Sequence, residues 1–211
     1  MNEAYSDFGI AFVKAGYDLV CDASYFSSGC DRSAVDTEYY NMKNALALSP
    51  ATQMNLYYLD CLSQGLLGLA TLPFGMHTSS EQNNKFQGIV IDYRSVRGGG
   101  AGMEGDTTVH EVGHYFGLYH TFHGGCHERS NDMVSDTPRT GVPNGGKCGD
   151  PKAPSNDPAA IEAYCKVGHN CGACDVGEGV AQWNFMDYRQ ASGCICMYIC
   201  VQHRRPVARS N

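Results

Sequence analysis

Three short stretches in the first hundred residues have the hydrophobic pattern of strands, and each is bounded by turn-forming residues. Residues 8–20 (FGIAFVKAGYDLV) combine β-branched and aromatic side chains with glycines, which predicts a strand. Residues 53–62 (QMNLYYLDCL) alternate with a period of two, and residues 88–96 (GIVIDYRSV) form a β-branched run bounded by glycines.

A helical pattern separates the first two of these stretches. Residues 36–48 (DTEYYNMKNALAL) place Tyr40, Lys43 and Ala47 three to four residues apart, as on one side of a helix. Asp36 or Thr37 is suited to cap the N-terminus, and Pro50 lies just beyond the end. Residues 97–106 predict a flexible loop, and residues 124–179 predict a long irregular segment held by cross-links. The pattern as a whole predicts a mixed α+β fold.

Composition limits the function classes. The chain has 211 residues, 43% of them hydrophobic, which suits one domain or one domain with two lobes. Its net charge is −7 and no basic stripe crosses its body, which argues against a nucleic-acid partner. No apolar run approaches the roughly 18 residues of a membrane span. We expect a soluble monomer without membrane or nucleic-acid partners.

The cysteine content favours an oxidising compartment. Eleven cysteines lie between Cys21 and Cys200, more than a reduced cytosolic chain of this size usually carries. We therefore expect a secreted, extracellular protein, although residues 1–10 (MNEAYSDFGI) show no features of a signal peptide. Because eleven is odd, at least one thiol stays unpaired within the chain.

Residues 110–120 (HEVGHYFGLYH) carry the candidate chemistry. On a helix, His110 and His114 project from the same face, about one turn apart. Gly117 can adopt a positive φ, end the helix and let the chain present His120 as a third nitrogen ligand. Three neutral histidines on Zn²⁺ acidify a bound water to a pKa of about 7, and Glu111 could take its proton.

Two other interpretations compete with a zinc site. The segment could be an amphipathic helix whose histidines are satisfied by neighbours. Thr108 and Glu111 also fit a capping box, in which the glutamate would not be available as a base. Asp106 is an equally good cap one turn earlier and would leave Glu111 available. The extended pattern HExxHxxGxxH is far rarer than HExxH alone, so zinc-dependent hydrolysis is favoured.

The extended pattern resembles the metzincin signature, and residues 183–188 (WNFMDY) resemble the methionine turn of that group. Five segments of the chain resemble the pappalysin family, in particular its small secreted microbial and fungal members. These segments are GLLGLATLPF, GIVIDYRSV, HEVGHYFGLYHTFHGGC, VSDTP and NFMDY. The resemblance implies an α+β metzincin-type zincin domain over 1–188. Its upper lobe would be 1–120, and an irregular lower lobe with the methionine turn would be 121–188.

The resemblance also implies roles for individual residues. Zinc would be bound by His110, His114 and His120, and Glu111 would be the general base. Met186 would form a hydrophobic floor, and Tyr188 would stabilise the oxyanion or leave the zinc as substrate binds. Plain core packing is the alternative for Met186 and Tyr188.

The function implied is that of a secreted metalloendopeptidase of the EC 3.4.24 type, acting on proteins or peptides. The alternative is a zinc-binding protease relative that lacks catalysis or is truncated. The resemblance further implies Ca²⁺ in the segment NDMVSDTP, where oxygen donors are available, and a solvated turn is the alternative there. These donors are Asn131, Asp132, Asp136 and Thr137.

Disulfides are favoured over a zinc knuckle or a redox pair in residues 165–174 (CKVGHNCGAC). Cys21 and Cys30 bracket a short turn and could form a bridge, and Cys61 would then be the buried unpaired thiol. In the family, Cys126 pairs with a cysteine of the downstream segment, which sequence alone does not identify. The candidates downstream are Cys148, Cys165, Cys171 and Cys174.

The chain departs from the family pattern at both ends. Relatives carry a first strand and most of a helix before the segment that corresponds to MNEAY here. We therefore expect this chain to begin inside that helix. Residues 189–211 contain four arginines and no acidic residue. Subtracting that +4 from −7 leaves −11 for 1–188. We expect 189–211 to be a basic tail outside the family fold. We also expect the chain to be less stable than a version with the family's first strand and closing helix restored.

Overall fold

The protein is described by a computed structural model over residues 1–32, 37–73, 85–99, 105–125, 132–135, 137, 139–141 and 184–187. The described residues up to Tyr119 belong to one compact unit, and those from His120 onward belong to a second. In the part of the chain that the structure describes, no helix combines the length and apolar character needed to span a bilayer.

The first unit contains a three-stranded mixed sheet in the order β1-β3-β2. Strand β1 (Leu56–Leu59) runs parallel to β3 (Ile89–Asp92), and β2 (Gly68–Ala70) runs antiparallel to it. All four residues of β3 are buried, as expected for a central strand with elements on both faces. The sequence predictions of strands within 53–62 and 88–96 are confirmed, and the mixed sheet agrees with the predicted α+β class.

Helices cover both faces of this sheet. Helices α2 (Ala23–Ser28) and α3 (Glu38–Leu46) pack together, and residues of both contact a core cluster that includes Val90 of β3. Helix α4 (Asp106–Tyr115) packs on β2 and β3. Because side chains alternate along a strand, Ile89 and Ile91 lie on the face opposite Val90, which is the face of α4.

Short helical turns connect these elements. Helix α1 (Asn2–Tyr5) is followed by a 3₁₀ turn at Ser6–Phe8, and two further 3₁₀ turns follow β1 and β3 at Leu62–Gln64 and Tyr93–Ser95. The ring of Tyr5 contacts those of Phe12 and Phe116 edge to face, and its hydroxyl donates to the carbonyl of Val109 at 3.0 Å. The N-terminal residues are thereby attached to α4.

The prediction of a strand over 8–20 is wrong. After the 3₁₀ turn and Gly9, residues 10–22 have no regular secondary structure, and Val13 and Leu19 are about nine-tenths exposed, at 90% and 89%. The backbone N–H and carbonyl of Phe12 bond to the side chain of Asn2 at 2.7 and 3.1 Å. These two backbone groups are bonded to a side-chain amide, so they are not available for a ladder with another strand.

The helix predicted over 36–48 is confirmed as α3, with Thr37 at the N-cap position, although the Thr37 side chain makes no capping hydrogen bond. Asp36 lies outside the described residues. Two elements were missed. Strand β2 is only three residues long and begins with glycine, and α2 is capped by Asp22, whose carboxylate accepts from the N–H groups of Ser24 and Tyr25.

The proposed Cys21–Cys30 bridge is also wrong. Cys30 forms a disulfide with Cys61, with a Cα–Cα distance of 5.4 Å, inside the range usual for such bridges. Cys21 is exposed and carries a free thiol, so Cys61 is not the unpaired cysteine. Helix α2 lies between Cys21 and Cys30 in sequence, in place of the short turn that the spacing suggests. The bridge joins the residue just beyond α2 to the chain following β1, inside the core cluster.

Candidate metal centre

Helix α4 carries His110 and His114, and its packing against the sheet orients them. It begins after Gly105, which has a φ of 90°, and Asp106 places a negative charge in its first turn, where the helix dipole favours one. Its buried positions recur with helical spacing, so one side of the helix is fixed against the sheet. These positions are Thr108, Val109, Glu111, Val112 and Gly113.

A glycine ends α4 as the sequence predicted. Gly117 has a φ of 97°, and its N–H donates to the carbonyl of His114 at 2.9 Å. The N–H of Leu118 reaches back to the carbonyl of Gly113 at 2.9 Å. This pair of bonds is the Schellman motif, which reverses the chain and requires a left-handed residue just beyond the helix end. The turn directs the chain toward His120.

Three histidines meet as a group able to hold one metal ion. One ring nitrogen from each of His110, His114 and His120 lies within 4.8 Å of the other two. The rings of His110 and His114 meet edge to face, with centroids 4.7 Å apart. Histidines four residues apart on one helix can make this contact because i and i+4 share a face.

The environment of His114 fixes which nitrogen faces a metal. Its Nδ1 lies 2.7 Å from the carbonyl oxygen of Leu118, which can only accept, so Nδ1 carries the proton and Nε2 keeps its lone pair. Burial lowers the pKa of His114, and the bond to the Leu118 carbonyl opposes this effect. The imidazole is therefore held in the neutral form that binds metals.

Glu111 is buried beside the candidate ligands, with its side chain against strand β2 of the sheet. The backbone N–H of Ala70 donates a hydrogen bond to its carboxylate. Burial raises the pKa of Glu111 to about 8, and the Ala70 bond acts in the lowering direction. A carboxyl with a pKa in this range can both accept and return a proton near neutral pH.

Neither capping alternative for this segment holds. The helix starts at Asp106, so Thr108 lies within its first turn and Glu111 lies well inside the helix. Gly105 occupies the N-cap position and has no side chain. Thr108 and Glu111 therefore do not form a capping box at the N-cap position, and Asp106 is the first helical residue rather than the N-cap.

The donor set fits zinc in its chemistry. Three nitrogens on one tetrahedral zinc, each bonded at about 2.0–2.1 Å, lie about 3.3 Å apart. The 4.8 Å limit found here requires only small ring adjustments to reach that arrangement. Three nitrogen ligands also leave one tetrahedral position open, as in catalytic zinc sites.

Met186 lies in a tight turn of the second unit. The side-chain oxygen of Asn184 accepts from the N–H of Met186 at 2.9 Å, and its carbonyl accepts from the N–H of Asp187 at 3.0 Å. The Met186 side chain is buried, and its carbonyl accepts from the N–H of Thr121 at 3.1 Å. The turn is thus bonded to the residue that directly follows His120.

Several predicted residues lie outside the described part of the chain. Of the calcium candidates, Asp132 and Thr137 are described and buried, and the Asp132 carboxylate accepts from the N–H of Val134 at 3.1 Å. The other predicted residues that fall outside are Asn131, Asp136, Tyr188, Cys126, Cys148, Cys165, Cys171 and Cys174.

Sequence reasoning missed the groups that hold the site residues in place. The Ala70 N–H, the Leu118 carbonyl and the Thr121–Asp187 pair carry no motif of their own. The Leu118 contact could have been anticipated, because it is four residues from His114 across a predicted helix end. The contacts of Ala70 and Asp187 connect residues far apart in sequence, and no local signal marks them.

The chain is similar to a known protein family and to several known proteins. A family model for M43 peptidases, described as pregnancy-associated plasma protein-A, matches residues 38–208. An extracellular metalloprotease of Pyricularia oryzae is 39% identical over 140 residues, covering 65% of this chain and 45% of that protein. One of Podospora anserina is 35% identical over 195 residues, covering 89% of this chain and 55% of that protein.

A solved structure is similar as well. Mature mirolysin of Tannerella forsythia, in complex with a cleaved peptide, has a TM-score of 0.51 and 26% identity, covering 75% of this chain and 55% of that one. This chain thus spans about half the length of the relatives that it matches. The family match includes residues 189–208, and the domain boundary at 188 stays a prediction. The chain belongs to the M43, or pappalysin, family of metallopeptidases.

Proposed function

We propose that this chain is a zinc-dependent endopeptidase that hydrolyses peptide bonds in proteins or peptides. One observation carries the proposal: three histidine nitrogens lie within 4.8 Å of one another, and the next residue after His110 is a buried glutamate. Ligands alone would suit a structural ion. A carboxylate beside three ligands, with a fourth position open, suits an ion that activates water.

The roles of the residues follow from their positions. His110, His114 and His120 would hold the zinc, which when bound acidifies a water molecule and polarises the scissile carbonyl. Glu111 would accept the proton of that water at its carboxylate and later deliver it to the leaving amine. The burial of Glu111 would limit the access of bulk water to this proton transfer. The Leu118 carbonyl would hold His114 in the required tautomer.

Met186 and Tyr188 complete the proposed site. We assign Met186 to the floor beneath the zinc, which its burial in a tight turn supports. We assign Tyr188, outside the described residues, to stabilisation of the oxyanion. Relatives named extracellular metalloproteases support secretion. The cleaved peptide in the mirolysin complex supports peptide substrates for this chain as well.

Glu111→Gln tests the mechanism. The amide cannot accept the proton, so cleavage of casein should fall by about 10²- to 10⁴-fold while zinc stays at one per chain. Glu3→Gln, at an exposed position, is the matched control and should retain normal cleavage. Normal cleavage by Glu111→Gln would refute the role of Glu111. Full zinc content in the unaltered chain without chelator-sensitive cleavage would instead favour the non-catalytic zinc-binding alternative.

The metal ligands are tested separately by metal analysis. His120→Ala should lose most of the zinc, because two histidines hold it far more weakly than three. The exposed His123, three residues further on, provides the control variant His123→Ala, which should keep one zinc per chain. Equal zinc content in the two variants would exclude His120 as a ligand.

Calcium binding near Asp132 is a further part of the proposal. Asp132 and Thr137 are buried residues with side-chain oxygens, and they lie five positions apart in sequence. Oxygen donors of this kind are the ligands that a hard cation takes. Thermal unfolding with zinc held constant should shift upward on addition of calcium. Asp132→Asn should abolish that shift, and an unchanged shift would exclude Asp132 as a ligand.

A further inference from the structure

Strand β2 approaches the side chain of Glu111 so closely at Gly68 that a side chain at this position would displace it. A methyl group placed on Gly68 would lie 2.7 Å from Cγ, 2.8 Å from Oε1 and 3.0 Å from Cδ of Glu111. Carbon atoms in ordinary contact are about 3.5–4.0 Å apart. The φ of Gly68 is not in the left-handed region, so backbone conformation does not require a glycine here. The space that a side chain would take is occupied by the side chain of Glu111.

The same strand supplies a hydrogen bond to the carboxylate. Strand β2 lies at the edge of the described sheet, in the order β1-β3-β2. Leu67 and Thr71, which flank β2, bond to Asp92 and Gly88 at 2.8 and 3.2 Å. Because backbone groups alternate in direction along a strand, the N–H groups of Gly68 and Ala70 point away from β3. That of Ala70 is accordingly free of the ladder and donates to Glu111.

The position of this strand is fixed from the other side. Gly68 pairs with Ile91 and Ala70 pairs with Ile89, both fully buried residues of the central strand. Paired residues of an antiparallel ladder share a face, so position 68 faces helix α4. Displacing β2 to make room for a side chain would break its ladder with β3. The Glu111 side chain would have to move instead.

We propose that Gly68 is a positioning residue, whose missing side chain lets the Glu111 carboxylate lie against β2 and take the Ala70 N–H. The inference rests on the proposed role of Glu111 as the general base. It gives Gly68, the first residue of β2, a role in catalysis in addition to its role in the sheet. Gly68 acts through Glu111, so its role is one of positioning.

Gly68→Ala in the zinc-loaded full chain tests the proposal. The added methyl displaces the carboxylate by a fraction of an ångström to about 1 Å, a shift that lowers turnover by about 10- to 100-fold. With a fluorogenic peptide, kcat should fall by this factor while KM stays within about twofold and zinc stays at one per chain. Gly16→Ala is the matched control, since a methyl there meets nothing within 4 Å. It should leave kcat unchanged.

The same substitution made in a Glu111→Ala variant distinguishes a clash with Glu111 from damage to strand β2. In Glu111→Ala, the atoms that the methyl would meet are gone, so Gly68→Ala should lower the unfolding midpoint of the metal-free protein less than it does with Glu111 present. Gly68→Ala by itself could lose zinc or stability. If the added Glu111→Ala substitution then restores the lost property, the contact between positions 68 and 111 is supported. If Gly68→Ala causes equal losses with and without Glu111, the proposed contact is overturned.

The outcomes also separate this inference from the proposed function. Normal turnover in Glu111→Gln refutes the proposed function itself. Loss of turnover in Glu111→Gln, together with a kcat within twofold of normal in Gly68→Ala, overturns only the role of Gly68.

Discussion

The hydroxyl of Thr121 donates a 3.1 Å hydrogen bond to the carboxylate of Asp187, and both side chains are buried. The N–H of Thr121 also donates to the carbonyl of Met186, so two bonds join the residue after the third histidine to the methionine turn. A residue held in this way limits the positions that its neighbour His120 can adopt. The turn would therefore contribute to the candidate metal site through His120 without supplying a ligand itself.

Thr121→Val should weaken zinc binding by about tenfold. Valine keeps the shape of threonine but leaves the buried Asp187 carboxylate without one donor, and groups that orient ligands typically account for 10- to 100-fold in affinity. We expect the lower end, because Thr121 acts on the backbone next to His120. Competition with a chromogenic chelator measures the affinity. Thr52→Val, at an exposed site, is the control, and equal affinities in the two variants would exclude the role of this pair.

Gly117→Ala should lower both stability and zinc affinity. At a φ of 97°, an alanine costs about 1–2 kcal/mol relative to glycine. The strain would shift the turn that leads from His114 to His120. Chemical unfolding of the metal-free protein gives the stability loss, and chelator competition gives the affinity. Gly16→Ala controls for the added methyl, and an unchanged zinc affinity would show that the turn does not set the position of His120.

Replacing Cys30 and Cys61 together with serine should lower the free energy of unfolding by about 2–4 kcal/mol. The bridge closes a loop with a sequence separation of 31 and lies in the core, so its loss increases the entropy of the unfolded chain. Urea unfolding under oxidising conditions measures the change. Cys21→Ser should leave stability unchanged, because Cys21 is exposed and free. A loss in Cys21→Ser equal to that of the double variant would contradict the pairing.

What sequence could predict here depended on how local the interaction is. His110 and His114 are four residues apart on one helix, and Gly117 lies at the end of the same helix, so spacing alone predicted their geometry. The pairing of Cys30 with Cys61 connects a residue beyond α2 to the end of β1, and proximity in sequence favoured Cys21 instead. Pattern reasoning weights near neighbours, whereas the fold brings distant ones together.

Two other outcomes have a physical explanation. Residues 8–20 have the composition of a strand, but a strand needs a partner, and the Phe12 backbone groups bond to the Asn2 side chain. Strand β2 has only three residues and no alternation, and its place in the sheet depends on pairing with β3. Its contact with Glu111 depends in turn on how α4 packs on that sheet. Neither relationship is encoded in the residues of β2 alone.

Asp92→Asn should destabilise the protein in a way that depends on pH. The fully buried Asp92 carboxylate accepts from the N–H of Leu62 at 2.7 Å and from the backbone and side chain of Arg94 at 2.8–2.9 Å. Burial alone would raise its pKa, but the bonds from Arg94 and Leu62 and the Arg94 charge outweigh that effect and lower the pKa to about 2.

Because the folded pKa lies below the unfolded value of about 3.9, the stabilisation is present above about pH 4 and is lost as the pH falls toward 2. Asp92→Asn should therefore lose about 2–3 kcal/mol at pH 7, and the difference from the unaltered chain should shrink below pH 4. Urea unfolding of the metal-free protein is the measurement, because acid also protonates the histidines. Asp7→Asn, at an exposed site, should show no such difference. A loss that stays constant from pH 7 to pH 2 would mean that the charge of Asp92 does not stabilise the fold.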